Sequence, residues 1–360
     1  MSFIGRIARS FADDARNVAG APRRFAEDAA YTVQGLRDGT VSPKKVAWTI
    51  IATLGGILVV GAVLFPLYWI FTQSLSSSGG SIYAAGGFTW LPPKPTLQNY
   101  IWVVGDLIVK GYRISVSVPL TGLEVFFETP RIELLDASEH GVTNPSDFKK
   151  YMANSMFVAI PTVILAMCVI IPASYALSRR KFILRRKVLF MYVLLTQVGG
   201  GLGIAALVAL YAIFVQVGID NNKLALAVYY AGTAVPFNTW LLKTYMDGIP
   251  VSYEEAAIVD GAPPWRVAIE VILPLAKAGL GTVFIFTFLT GWTEFLVAQT
   301  LLSTDNYTLP VGLYTLIGEY TTPWARFSAF ALMFAAPIML LYLFTQRYIE
   351  GGLSFSGMEG

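Results

Sequence analysis

Six long apolar blocks, at about 47–72, 152–178, 188–214, 223–244, 278–302 and 325–347, restrict what this chain folds into more than any other feature. A bilayer core about 30 Å thick is crossed by about 20 mostly apolar helical residues, and each block reaches that length. Hydrophobic residues make up 55% of the 360 and charged ones 14%, whereas a soluble domain carries about 25% charged residues. A water-soluble fold of this size needs more polar surface than that. The chain reads as an all-α polytopic membrane protein with six transmembrane helices. Gln197, Asn238 and Thr239 interrupt the third and fourth blocks, and polar positions of this kind are tolerated where helices face one another.

The basic residues orient the spans. With the N-terminus inside, 18 of the 26 Lys and Arg fall on the cytoplasmic side and 8 outside. The run Arg179, Arg180, Lys181, Arg185, Arg186 and Lys187 has no acidic partner and lies between two spans, where the positive-inside rule is most reliable. Both termini are therefore expected in the cytoplasm. Residues 1–46 mix Arg6, Arg9, Arg16, Arg23 and Arg24 with Asp13, Asp14, Glu27 and Asp28. They read as a charged cytoplasmic extension and not as a signal peptide; a lipid-surface helix is the second reading, weakened by the acidic interruptions.

Residues 73–150 form a long outer segment. Within it, 112–134 are rich in β-branched and aromatic residues, with turn signals at Pro119 and Gly122 and a break at Pro130. That pattern predicts two or three short strands in a small β-rich extracytoplasmic insertion holding His140. The net charge of +3 is too small to suggest nucleic-acid binding. A single cysteine, Cys168, excludes an internal disulfide and a Cys-based zinc site. A single histidine, His140, removes most zinc and Ser/His chemistry. Neither residue is assigned a metal or redox role, and no cofactor is expected.

The cytoplasmic connection between the fourth and fifth blocks carries the functional signal: IPVSYEEAAIVDGAPPWRVAIEVILP, from Ile249 to Pro274. Ser252 followed by Glu255 reads as a capping box that starts a helix at Tyr253. Gly261 takes the left-handed conformation that ends it, and Pro263-Pro264 prevent continuation. A second helix is expected from about Trp265 to Leu273. Ala256 and Ala257 keep the surface low for close approach of another protein, while Glu254, Glu255 and Asp260 present charge. Taken singly, Glu255 reads as a cap and Gly261 as a stop.

Taken together, Glu255-Ala256-Ala257, Asp260-Gly261-Ala262 and Ile272-Leu273-Pro274 resemble the cytoplasmic coupling loop of ABC importer permeases. Further residues resemble one branch, the MalG-like sugar-importer permeases. They are Asn154-Ser155 and Ala173-Ser-Tyr-Ala-Leu-Ser-Arg179 in the second block, Pro236 and Trp240 in the fourth, and Trp292-Thr-Glu-Phe295 in the fifth. Thr308-Leu-Pro-Val-Gly-Leu313, Pro337 and Gln346-Arg347-Tyr348 follow. The resemblance covers about 47–98 and 148–360. It departs at Ala278, near where the family often has a second proline, and at Thr293, where the family commonly has Asn. The extension 1–46 and the lobe at about 99–147 exceed the usual pattern.

The resemblance implies an ABC importer type I permease fold: a cytoplasmic extension (1–46), a first span (47–72), the outer segment (73–150), a core of five spans (151–347) containing the coupling loop 250–276, and a cytoplasmic tail (348–360). It implies a non-catalytic subunit forming half of a pore for sugars of the maltose, maltodextrin or trehalose kind, in a prokaryotic plasma membrane. The implied partners are two copies of an ABC ATPase, a homologous second permease and an extracytoplasmic sugar-binding protein. Glu254, Glu255, Ala256, Ala257, Asp260, Gly261 and Ala262 would dock on the ATPase, with Glu255 paired to one of its arginines.

Trp292, Glu294, Gln197 and Asn238, with Gly199-Gly200-Gly201, either line a sugar path or serve helix packing. Glu294 is the chief intramembrane charge, read either as functional by default or as a paired residue near the outer interface. Two alternatives stand beside the sugar reading: a permease for a polyol or glycerol phosphate, and a self-contained secondary transporter. The latter needs repeated halves and paired intramembrane charges, which the sequence does not display.

Overall fold

A computed structural model describes residues 38, 42–77, 92, 94–109, 113–117, 124–128, 132–201, 203–318 and 322–356. The expected N-terminal extension falls almost wholly outside these residues. The chain divides into two compact units, 1–69 and 70–360. In the first, helix α1 (Pro43–Ser74, whose last turn belongs to the second unit) runs without an acidic residue in its first turn and with Pro66 inside it. Its side chains from Trp48 to Leu67 are exposed on all sides, as befits a helix whose solvent is lipid.

The second unit is built on helix α3 (Phe148–Arg179). Before it come the short helix α2 (Gln98–Val104) and four strands, β1 (Leu107–Val109), β2 (Arg113–Ser117), β3 (Glu124–Glu128) and β4 (Ile132–Leu135). β1 pairs antiparallel with β4, and β2 with β3, so one hairpin is nested inside the other pair. Of these, β2, β3 and β4 fall on the stretch 112–134 where two or three strands are expected, β4 reaching Leu135, and β1 precedes it. The Asp106 carboxylate accepts the Ala137 amide at 2.9 Å, holding the two ends of the insertion side by side.

The third apolar block gives two described helices, α4 (Arg185–Gly201) and α5 (Gly203–Val217); Gly203 has φ +49, a left-handed value that breaks the regular helix and that only glycine adopts without strain. Helix α6 (Lys223–Asp247) starts on Asn222, whose side chain accepts the amides of Leu224 and Ala225. The connection between the fourth and fifth blocks gives α7 (Ser252–Val259) and a helical run, α8, made of Pro264–Arg266, a π-helical Val267–Ile272, and Leu273–Leu275.

The fifth block is also broken. α9 (Lys277–Thr293) stops at Glu294, which is extended at φ −68 and ψ 132, and α10 (Leu296–Leu301) follows. Short α11 (Leu309–Tyr314) and long α12 (Trp324–Ser356) complete the fold. By length and composition, four described segments suit a membrane crossing: Pro43–Ser74, Phe148–Arg179, Lys277–Leu301 and Trp324–Gln346. The six expected crossings are therefore not all represented by long apolar helices. α4 and α5 are separately short, and α6 carries Asn238 and Thr239.

α3, α6 and α9 pack on one another, and α12 packs on α9. Their contacts form three apolar clusters: one around Trp102, Phe148, Trp292 and Phe330, one around Phe214, Tyr230 and Ala298, and one around Ile170, Leu242, Met246 and Ile272. Small residues allow the close approaches. A Cβ at Gly291 would lie 3.0 Å from the Ala159 Cα across the α3–α9 contact, closer than side chains ordinarily approach a backbone, so glycine lets the two helices meet there. Polar side chains stitch the same helices together. Ser174 donates to the Thr239 carbonyl at 3.0 Å and Thr162 to the Ala227 carbonyl at 3.3 Å, so these two buried hydroxyls have acceptors on a facing helix.

Candidate functional site

Helix α7 lies in the connection that carries the sequence signal, and its N-terminus differs from expectation. The capping box does not form. Ser252 is already helical, Val251 occupies the cap position without a side-chain bond, and the Pro250 and Val251 carbonyls accept the first amides. The helix starts one residue earlier than the box requires, so the Ser252 hydroxyl has no orphan amide ahead of it.

The C-terminus matches expectation. Gly261 has φ +83, its amide bonds to the Ile258 carbonyl at 3.0 Å and the Ala262 amide to the Ala257 carbonyl at 3.0 Å. This paired arrangement is a Schellman stop. Pro264 then opens α8 at a position where its missing N–H costs nothing. The Asp260 contribution to the turn comes from its backbone, whose amide donates to the Ala256 carbonyl at 3.0 Å.

The charges divide into two kinds. Glu255, Ala256, Asp260 and Gly261 are exposed, Ala257 and Ala262 half-buried, and Tyr253, Ile258 and Val259 project apolar surface beside them. Glu254, expected to present charge outward, is instead buried. Its carboxylate lies 2.5 Å from the Arg179 Nε, with the two side chains 11% and 8% exposed. The N–H is not aimed along that contact, so the pair is held by charge. Arg179 also donates through Nη2 to the Ile249 carbonyl at 2.8 Å.

The basic run that has no acidic partner in its own connection thus acquires one 75 positions away, because the end of α3 and the start of α7 meet in space. Around it, Ser178 donates to Asp247 at 2.6 Å and Arg185 to the Leu177 and Ser178 carbonyls. Lys243 also pairs with Asp247.

The intramembrane residues do not form one polar surface. Trp292 is fully buried. Its ring stacks with both Phe288 and Phe334, at centroid distances of 5.3 and 6.0 Å, and its Nε1 donates to the Phe334 carbonyl. Of the two readings open for Trp292, a sugar path and helix packing, its burial matches packing. Asn238 is 2% exposed and donates to the Ala234 carbonyl one turn back, so it too presents no surface to a solute. The side chain of Gln197 and the triple-glycine run lie outside the described side chains.

Glu294 is paired. It accepts a hydrogen bond from the Tyr230 hydroxyl and caps α10 by accepting the Val297 and Ala298 amides at 3.0–3.2 Å. A carboxylate on a helix N-terminus is favoured by the orphan amides and the dipole. Of the two readings open for Glu294, the geometry matches the paired one, and Tyr230 is its partner. Cys168 is a free, exposed thiol on α3; His140 is exposed, its Nδ1 against the Asp136 carbonyl.

Sequence reasoning missed Arg179 and Tyr230 as partners. Neither carries a local signal, since each pairs across 64 positions or more.

The family described as binding-protein-dependent transport system inner membrane component matches residues 151–354. The maltose/maltodextrin transport system permease protein MalG of Vibrio parahaemolyticus is 33% identical over 308 residues, covering 83% of this chain and 91% of that protein. The maltodextrin transport system permease protein MalD of Streptococcus pneumoniae is 27% identical over 73% of this chain and 95% of that one. The inner membrane ABC transporter permease protein YcjP of Escherichia coli is 33% identical over 59% of this chain and 75% of that one. In fold, the chain is similar to a chain from the crystal structure of a bacterial ABC transporter involved in the import of the acidic polysaccharide alginate. The TM-score is 0.62 at 21% identity, covering 86% of this chain and 98% of that one.

Proposed function

This chain belongs to the family of binding-protein-dependent transport system inner membrane components, and from that premise we propose that it is one half of the pore of an ATP-driven sugar importer. It is a non-catalytic permease subunit of a multi-pass membrane protein family, with ATP hydrolysis carried out by a separate subunit. The sugar belongs to the maltose, maltodextrin or trehalose kind. The names of the relatives, which transport maltodextrin and galactooligosaccharides among others, support a sugar cargo.

The observation that carries the reading is the exposed face of α7, ended by the Schellman turn at Gly261. There a stiff, low-relief helix offers Glu255, Ala256, Ala257, Asp260, Gly261 and Ala262 to a cleft in another protein. Glu255 pairs with an arginine of the ATPase. Glu254, engaged with Arg179, stays with this chain. Closure of two ATPase copies on ATP carries α7 with it, and the spans rock between inward- and outward-open states. The motion requires differential contacts in two states, so the loop must transmit displacement without bending.

Six crossings, with α4 and α5 together forming the third and α6 the fourth, complete the topology with both termini inside. A homologous permease supplies the other half of the pore, and a sugar-binding protein delivers cargo on the outer side, where the β-stranded insertion also emerges.

The test is to tag the chain, extract it gently from its native membrane and identify what copurifies. An ATPase and a second permease in fixed proportion are expected. A chain that comes out alone, or only with copies of itself, overturns the reading in favour of a self-contained secondary transporter. Screening the copurified system's binding protein against maltose, maltotriose, trehalose, sorbitol and glycerol 3-phosphate then separates sugar from polyol and phosphate cargo.

A further inference from the structure

Residues 252–262 follow α6 through the short turn 248–251, and a loop in that position can yield when pushed. Three observations bear on whether it does. Glu254 and Arg179 are each about nine-tenths buried and in ionic contact at 2.5 Å. Arg179 also holds the Ile249 carbonyl, at the root of the loop, at 2.8 Å. The last turn of α3 that carries Arg179 is itself braced, by Ser178 on Asp247 of α6 and by Arg185 on the Leu177 and Ser178 carbonyls.

Among the described residues, Arg179 is the side chain through which polar contacts join this loop to α3. A buried charge pair tolerates little displacement, because separating it strands two charges away from water.

We propose that the Arg179–Glu254 pair makes α7 and the cytoplasmic end of α3 one rigid body, so that a displacement of α7 reaches the spans instead of being absorbed in the loop. Arg179 and Glu254 are positioning residues; the ATPase touches neither. The two adjacent glutamates then have opposite duties: Glu255 faces outward to the partner and Glu254 inward to the spans. The inference rests on the docking reading above, and its test separates the two.

The experiment uses the purified complex in lipid nanodiscs, in a Cys168→Ser background, with spin labels introduced by Val259→Cys on α7 and Arg180→Cys at the end of α3. Distance distributions are measured by double electron–electron resonance, without nucleotide and after trapping with ATP and vanadate. A narrow distribution with the same mean in both states is expected. The neutral pair Arg179→Gln with Glu254→Gln leaves no stranded charge and is expected to broaden the distribution at least twofold, while the ATPase still copurifies. The swap Arg179→Glu with Glu254→Arg, or the milder Arg179→Lys alone, is expected to narrow it again; a merely structural site would not respond to the sign of the charges in this way.

A wild-type width in the neutral pair, a wild-type mean that shifts on trapping, or loss of the ATPase from the neutral pair each overturns the proposal. Absence of the ATPase from the unmodified preparation overturns the docking reading instead, and it shows in copurification and not in the width.

Discussion

At the residue scale, position 261 separates two duties that any one variant would confound. The backbone there is left-handed at φ +83, and a Cβ would meet nothing within 4 Å. Asparagine tolerates this conformation, so Gly261→Asn keeps the turn and adds a side chain on the exposed face. If Gly261 only stops the helix, uptake survives. If it seats in a cleft, uptake by cells carrying the whole importer falls at least tenfold in Gly261→Asn and is abolished in Gly261→Asp, with both proteins still in the membrane. The adjacent glutamates make a second contrast. Glu254→Gln breaks a buried pair and is expected to destabilise the chain by about 3–5 kcal/mol. Glu255→Gln alters an exposed position and stays within about 0.5 kcal/mol of the parent, while lowering uptake. Thermal unfolding in detergent reads the first effect and transport the second; equal stabilities would contradict the burial of Glu254.

At the scale of elements, the contacts of α9 decide whether the bundle holds. Gly291 sits where a Cβ would lie 3.0 Å from the Ala159 Cα and 3.2 Å from the Thr162 Cβ, backbone and a β-branched side chain that cannot yield cheaply. Gly291→Val is expected to cost about 1–3 kcal/mol by forcing α9 off α3, seen as a lowered unfolding temperature. An unchanged temperature would mean that the two helices do not pack this closely. The break after α9 depends on Glu294. Glu294→Ala loses the cap of α10, about 1 kcal/mol, and strands the Tyr230 hydroxyl, about 1–3 kcal/mol more. Tyr230→Phe removes the donor instead and costs about 1 kcal/mol. The double variant should therefore be more stable than Glu294→Ala alone, a sign that unfolding of the three proteins checks directly.

At the scale of the whole molecule, the β-stranded insertion enters and leaves at one place, because β1 pairs with β4 and Asp106 binds the Ala137 amide. Replacing 107–135 by a short glycine linker bridges neighbouring ends and is expected to shift the unfolding temperature of the remaining chain by less than about 2 °C; a collapse of expression would show that the lobe helps build the core. Much of the architecture was legible beforehand. The apolar block at 152–178 is a helix over Phe148–Arg179 and the block at 325–347 one over Trp324–Ser356, since a long run of side chains that avoid water needs no tertiary information to become helical in lipid. The stop at Gly261 was legible for a similar reason, being a backbone preference of one residue and its neighbours. The left-handed backbone at Gly203 and the break at Glu294 were not, because hydropathy averages over a window longer than the break. Nor were the duties of individual polar groups. Glu254 and Glu255 are chemically identical and adjacent, and Trp292 has the same ring whether it faces a sugar or a phenylalanine. The sequence by itself determined a helical membrane chain and the helix stop at Gly261 in the connection between its fourth and fifth apolar blocks. Only the tertiary structure decided that Glu254 turns inward to Arg179, that Glu294 caps a helix against Tyr230 and that Trp292 is packed away, because each of these outcomes depends on which distant helix fills the space around the side chain.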